Sequence, residues 1–398
     1  MISGTGVTKT YRRKGNHLGA QDVPALRGVD FTVPKGGAVS FIGESGCGKT
    51  TLGRIVAGLE TYDSGEIVIG DVPMTPLRPR KREPHFRRIQ LIHQDPYSAL
   101  NPNRTIQQTL RAPLALRARQ AGRPGSWIDE RAEELLSLVG IDPGYVLPRY
   151  PHQLSGGMRQ RVVIARALTV DPEMLVADES VSMIDVSMRL SILALLKDLR
   201  ERLGVSLMFI THDIATARYI GDGSELYVLY RGQVVEHGPT ETVISGPVHP
   251  YTQALLSAIP VLHGLERPGA DRVVPTEALD ERRPDSGCLF ARRCPFSTQR
   301  CFDERPELAH CLDPSHEHAC FHPHRRQVIP VERFTGAGTA VNEPPADGGC
   351  RPAGTATGGA TGTAAGGATG AADGGSAATA TGAPGNGAEA ASRVRTIA

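Results

Sequence analysis

Up to about residue 260 the chain alternates short, mainly apolar runs with longer stretches whose apolar residues recur at helical intervals. Residues 38–42 (AVSFI) are one such run. They meet a Gly-rich turn, and residues 50–59 continue with helical spacing, which predicts a strand, a tight loop and a helix. Residues 174–177 (MLVA) form a second run that ends in Asp178 and Glu179, and residues 206–210 (SLMFI) a third that ends in Thr211 and His212. Such mainly apolar runs suit buried strands of a parallel sheet. Polar residues at their carboxyl ends stand where ligands bind in open sheets of this kind. Between the first run and the second, residues 129–139 (DERAEELLSLV) carry a helical pattern, and a helical subdomain, about 97–165, is expected to be inserted between core strands. The fold class read from this order is α/β.

The pattern ends near Pro260, and two further zones follow. Cys, His, Arg and Pro dominate residues 261–334, and residues 335–398 form a Gly/Ala/Thr tail with almost no large apolar side chain. Such a tail buries too little to offset the entropy of ordering its backbone, so it is expected to be disordered. The expected division is therefore 1–260, 261–334 and 335–398. With 398 residues and 40% hydrophobic content the first zone has enough material for a large core. Lys plus Arg total 44 against 42 for Asp plus Glu, a balance that gives no strong field to recruit nucleic acid, which is not an expected partner. The N-terminal MISGTGVTKTYRRKGN lacks the apolar core of a signal peptide, and no apolar run reaches the ~18 residues of a spanning helix. A cytoplasmic location is expected, with any membrane contact made through a partner. Seven cysteines in such a chain argue against a disulfide framework.

Residues 43–50 read GESGCGKT and fit G-x-x-x-x-G-K-[ST] across Gly43, Glu44, Ser45, Gly46, Cys47, Gly48, Lys49 and Thr50, with Thr51 next. Glycines at these positions let backbone N–H groups curl around phosphates, and the following helix N-terminus adds positive potential. Lys49 is the candidate ligand of the β and γ phosphates, and Thr50 of Mg²⁺. Cys47 is expected to be structural. An Asp-Glu pair at a strand end is ordinarily a solvated turn, but a phosphate loop upstream reverses that reading. Asp178 becomes a second Mg²⁺ candidate, and Glu179 a general base on the attacking water. Residues 154–160 (LSGGMRQ) place Ser155, Gly156 and Gly157 as a small backbone nest ahead of a helical run, 159–168, which alone would be an N-capped helix.

Together the phosphate loop, LSGGMRQR, the strand ending in DE and the downstream FITHD resemble the ABC ATPase cassette, over about residues 6–260. The resemblance implies a P-loop NTPase fold that hydrolyses ATP with Mg²⁺ to drive transport. It also implies that Ser155, Gly156 and Gly157 complete the ATP site of a second cassette, so that hydrolysis requires a dimer. Tyr11 (in KTY) matches the aromatic that stacks on adenine. Gln94 (in HQDP) matches the glutamine that contacts Mg²⁺ and senses the membrane subunit, and His212 the switch histidine on the γ-phosphate. Asp185 closes SMID, the segment that links the two cassettes. Met183 and Ile184 depart from the usual S-A-L-D, Ser180 stands where Pro is common and Met158 where Gln is common. None of them supplies the proton acceptor or the phosphate-binding glycines, so hydrolysis is expected to survive.

Residues 232–260 (GQVVEHGPTETVISGPVHPYTQALLSAIP) resemble the segment that precedes the C-terminal extension of oligopeptide/dipeptide transporter ATPases; locally the pattern predicts two short strands, a turn and a helix. The extension then places Cys288, Cys294, Cys301 and Cys320 in a pattern similar to that of the same subfamily, where four thiolates hold a 4Fe-4S cluster. The spacings are not the C-x-x-C repeats that identify a metal site unaided. Zn²⁺ is the alternative, with His310, His316, His318 and His322 nearby and Cys311 a competing ligand. A loop-rich region with little core of its own gains from either staple.

QLIHQDPYSALNPNRTI and GESGCGKTT are most similar to the second of the two ATPases that these importers carry. The implied partners are a distinct second ATPase subunit, with a homodimer as the alternative, two transmembrane permease subunits and, indirectly, an extracytoplasmic substrate-binding protein. The implied place is the cytoplasmic face of the membrane, and the implied cargo is peptide, with nickel or another small solute as the alternative. A soluble non-transport ABC ATPase would carry two cassettes or a long coiled coil, whereas one phosphate loop and no sustained heptads are present. A non-hydrolysing subunit would lack Glu179, His212 or the glycines of LSGGM.

Overall fold

The computed structural model describes residues 1–13, 21–74, 87–180, 185–221, 223–258, 273–277, 286–310, 313–326 and 328. The Gly/Ala/Thr tail, Ser182, Met183, Ile184 and Cys311 lie outside the described residues.

The three apolar runs are strands of one sheet. Its parallel part comprises β3 (Ala38–Ile42), β6 (Ile89–Ile92), β7 (Met174–Asp178), β8 (Ser206–Ile210) and β9 (Glu225–Tyr230), in the spatial order β9-β3-β8-β7-β6. Every residue of β3, β7 and β8 is buried, which is why their sequences show no alternation. The register sets their ends level: Ile210 stands opposite Phe41 on one side and Asp178 on the other. The residues that follow all three strands therefore emerge along one edge.

Beyond β9 the sheet turns antiparallel through β10 (Gln233–Pro239), and it continues into the Cys-rich zone through β12 (Glu317–His318) and β11 (Ala309–His310). A second, antiparallel sheet has the order β2 (Gln21–Val33), β1 (Ile2–Arg13), β4 (Ser64–Ile69) and β5 (Val72–Pro73). One core joins the two sheets to α1 (Lys49–Val56) through Val7, Phe31, Phe41, Leu52, Ile55 and Ile67. Each such side chain contributes about 1.5–3 kcal/mol by leaving water.

Another core joins Leu175 and Phe209 of the parallel sheet to helices α2 (Ile106–Ala121), α3 (Ser126–Leu138), α4 (Gly156–Leu168) and α5 (Val186–Leu203). The caps are written in the sequence. Thr105 and Gln108 form a reciprocal capping box at the start of α2, and Gly122 ends it in the left-handed conformation.

The segment 232–260 departs from the pattern reading of two strands, a turn and a helix. It contains one strand, β10, followed by α6 (Thr240–Ser245) and α7 (Pro250–Ser257). With a register shift between Val234 and Glu236, QVVEHGP runs on as a single strand. His249 then caps α7, with Pro250 at its first position. A third core packs Tyr230 and Tyr251 against Phe290 of the extension, with ring centroids 4.5–5.5 Å apart. Buried Glu236 ties the same region together by accepting from Val248 N at 2.7 Å, His249 N at 2.9 Å and His316 Nε2 at 2.8 Å. Among the described residues no helix is long and apolar enough to cross a membrane.

Candidate nucleotide site

Leaving β3, the chain wraps through residues 43–48 into α1. Gly48 carries φ 107, and a Cβ there would stand 2.3 Å from the backbone oxygen of Ala25, so only glycine fits. The loop borders an open cavity of about 500 Å³ at the level edge of the sheet. Lys49 is buried, and its Nζ donates to the carbonyls of Gly43 at 2.8 Å and Glu44 at 2.9 Å. Burial pushes the Cys47 thiol up.

Thr50 and Asp178 meet directly, with Thr50 Oγ1 donating to Asp178 Oδ1 at 3.1 Å. Burial raises the Asp178 pKa, and the neighbouring Glu179 adds to the rise against the opposing Thr50 hydrogen bond. Glu179 adopts φ 44, a left-handed backbone that costs a non-glycine residue about 1–2 kcal/mol. Its N–H donates to Ile210 O at 2.9 Å, which closes the strand end, and its carboxylate reaches Gln94 Nε2 at 2.9 Å and His212 Nδ1 at 3.2 Å. Two candidates that follow other strands, Gln94 and His212, thus converge on the Glu179 carboxylate.

The cavity wall includes Tyr11, the loop residues Glu44 to Thr51, Gln94 and Glu179. Tyr11 is 38% exposed at the cavity wall, with Lys9 Nζ 5.3 Å from its ring centroid. Gly43, Asp178 and His212 do not line the cavity but are bonded to residues that do.

Ser155, Gly156, Gly157 and Asp185 are absent from the wall. Ser155 caps α4 by accepting from Met158 N at 3.3 Å; it and Gly156 are exposed, as is Asp185 at the start of α5. A Cβ on Gly157 would meet Met188 Cε at 1.8 Å.

Pattern reading missed Arg27, Tyr230 and Arg231, which also line the cavity, and Tyr251 and Arg293, which grip the loop from behind. No local motif marks them, because each acts through a contact distant in sequence.

In the extension, Cys288, Cys294, Cys301 and Cys320 line one small pocket of about 20 Å³. Burial pushes the Cys294 thiol up to about 11 and the Cys320 thiol up to about 12, and it raises Cys288. Of the four candidate histidines only His322 lines this pocket, and His249, not a candidate, lines it too. His316 pairs with Glu236, and His310 lies 3.5 Å from Glu317. Among the described residues no group of three or more His, Cys, Asp or Glu is placed to hold a metal ion.

At the larger cavity a glycine-rich loop with a buried lysine meets a hydroxyl, two carboxylates, an amide and an imidazole, groups whose chemistry suits phosphates and a proton transfer. On this sheet order the arrangement defines an ABC-type ATPase. Residues 26–182 match the ABC transporter family, and residues 235–301 match the oligopeptide/dipeptide transporter C-terminal region. A dipeptide transport ATP-binding protein, DppF of Haemophilus influenzae, is 38% identical over 328 residues, 81% of this chain and 96% of that protein. The oligopeptide transport ATP-binding protein AppF of Bacillus subtilis is 38% identical over 301 residues, 75% of this chain and 89% of the other. A solved dimer of the cassette MJ0796, bound to ADP and Pi, is 31% identical with a TM-score of 0.53 and covers 60% of this chain and 99% of that one. The chain belongs to the ATP-binding subunits of the oligopeptide/dipeptide ABC transporter family.

Proposed function

We propose that this protein hydrolyses ATP to energise the import of short peptides, working at the cytoplasmic face of the membrane as one of two cassettes beneath two permease subunits. The observation that carries the hydrolytic reading is the seat of Glu179, held by Gln94 and His212 beside Thr50 and Asp178. The peptide cargo rests on the names of the relatives and on the C-terminal region they share.

In this reading Tyr11 stacks on adenine, and backbone N–H groups of residues 44–51 wrap the phosphates. Lys49 exchanges its loop carbonyls for phosphate oxygens. The Thr50 hydroxyl, the Asp178 carboxylate and the Gln94 amide oxygen are the oxygen donors that a hard divalent cation prefers, and Mg²⁺ there would neutralise charge on the β and γ phosphates. Glu179 takes a proton from water once Gln94 Nε2 turns away from it, and His212 reaches the γ-phosphate. Ser155, Gly156 and Gly157, exposed at the head of α4, serve the site of the opposite cassette, with Asp185 at the same contact. A similar but distinct chain is the preferred partner, and a substrate-binding protein delivers cargo from the far side.

The four cysteines of the extension are proposed to hold a 4Fe-4S cluster in preference to zinc. What supports this reading is that the four cysteines line one pocket and that thiolates are the usual ligands of such clusters; among the described residues they are not yet grouped closely enough to hold a metal ion. The group would act there as a structural staple.

Glu179→Gln keeps the shape and the Gln94 contact but removes the base. Turnover should fall by about two to four orders of magnitude with ATP affinity retained. Steady-state hydrolysis and equilibrium binding on the same preparation measure both, and near-normal turnover would reject Glu179 as the base.

A further inference from the structure

Glu44, second residue of the phosphate loop, does not point its carboxylate freely into the cavity it borders. Arg293 grips it in a fork, Nη1 to Oε2 at 2.9 Å and Nη2 to Oε1 at 3.0 Å. Two further donors of Arg293 are also engaged: Nε donates to Glu277 O at 3.2 Å, and Nη1 also donates to Tyr230 Oη at 3.3 Å. The guanidinium is therefore fixed in plane, and its side chain is only 12% exposed. From the same side Tyr251 Oη accepts from Glu44 N–H at 2.8 Å. The carbonyl of Glu44, in turn, is one of the two that seat Lys49 Nζ.

We propose that Arg293 is a positioning residue of the ATP site: through Glu44 it fixes the start of the phosphate loop and cancels a carboxylate charge that would otherwise repel the nucleotide phosphates. The inference rests on the nucleotide reading of the large cavity, where Glu44 is part of the wall and Arg293 is not. Arg293 closes a short turn, Ala291–Arg293, between Cys288 and Cys294. The extension thereby reaches the phosphate loop across 249 positions of sequence. A fork of two charge-assisted hydrogen bonds, half-buried at the cavity wall, is strong enough to matter to the loop.

The test uses the full chain and titrates ATP with Mg²⁺ by calorimetry, alongside hydrolysis kinetics and thermal melting. Arg293→Ala should weaken ATP binding about tenfold and raise KM to match, with kcat changed less than twofold. Arg293→Lys, which keeps the charge but loses the fork, should fall between the two. Glu44→Gln combined with Arg293→Ala should recover most of the lost affinity, because the uncompensated carboxylate is gone. If Arg293→Ala lowers the melting temperature but binds ATP as the wild type does, Arg293 is structural only and the proposal fails. Equal weakness in the double variant would also overturn it, by showing that Glu44 is not the route. Failure of the wild-type chain to bind ATP would instead reject the nucleotide reading itself.

Discussion

Gly48 shows how narrowly one residue conditions this site. Gly48→Ala forces a Cβ against Ala25 O in a left-handed backbone, and the loop has to open to relieve it. The expected result is loss of measurable ATP binding together with a stability decrease of about 1–3 kcal/mol, read by calorimetry and by chemical denaturation. Positions of this kind were legible from the sequence, since a glycine, a lysine and a threonine at fixed offsets after an apolar run already specify the chemistry. Asp178 and Glu179 were legible as candidates only because that loop lies upstream, since an Asp-Glu pair at a strand end is by itself a turn. The hold of Arg293 on Glu44 was not, because neither residue is unusual in its own neighbourhood and only the folded chain brings them together. The cysteines stand between these cases: their convergence was expected from resemblance, whereas the pairings of His310 with Glu317 and His316 with Glu236 had no local signal.

At the scale of elements, strands buried on both faces announced themselves, and the strand read as 206–210 is β8 to the residue. The segment after residue 232 was harder, because a register shift hides strand alternation and a Pro or His reads as a turn until it is seen to start a helix. The junction of β9, β10 and β12 carries a titratable link. Burial pushes the His237 pKa down, but hydrogen bonds to Glu225 at 2.8 Å and Glu317 at 3.2 Å outweigh it, and the net shift is upward. A histidine whose pKa rises on folding stabilises fully below its unfolded value, about 6.5, and loses that contribution as pH climbs through the folded value. The stability gap between the wild type and His237→Gln should therefore be largest below pH 6.5 and shrink in alkaline buffer, as followed by urea denaturation across pH. A gap that widened with pH would reject the assignment.

For the molecule as a whole, the cassette and the Cys-rich extension share one sheet and one aromatic core. The boundary that composition suggests near residue 260 is thus not a boundary in the hydrogen bonding. A chain ending at residue 258 would leave β10 without β12 and Tyr230 and Tyr251 without Phe290. Exposed strand edges recruit other chains, so such a truncation should elute as aggregate in size-exclusion chromatography with light scattering, while a chain ending at residue 334 should not. The same sheet edge bears on synthesis. Glu236 and His237 are matched by His318 and Glu317 only after about eighty further residues have left the ribosome, so each nascent chain passes through an interval in which every ATP-site motif has been made but the sheet behind it is still open. A chaperone or protease surveying unfinished chains would find its signal there.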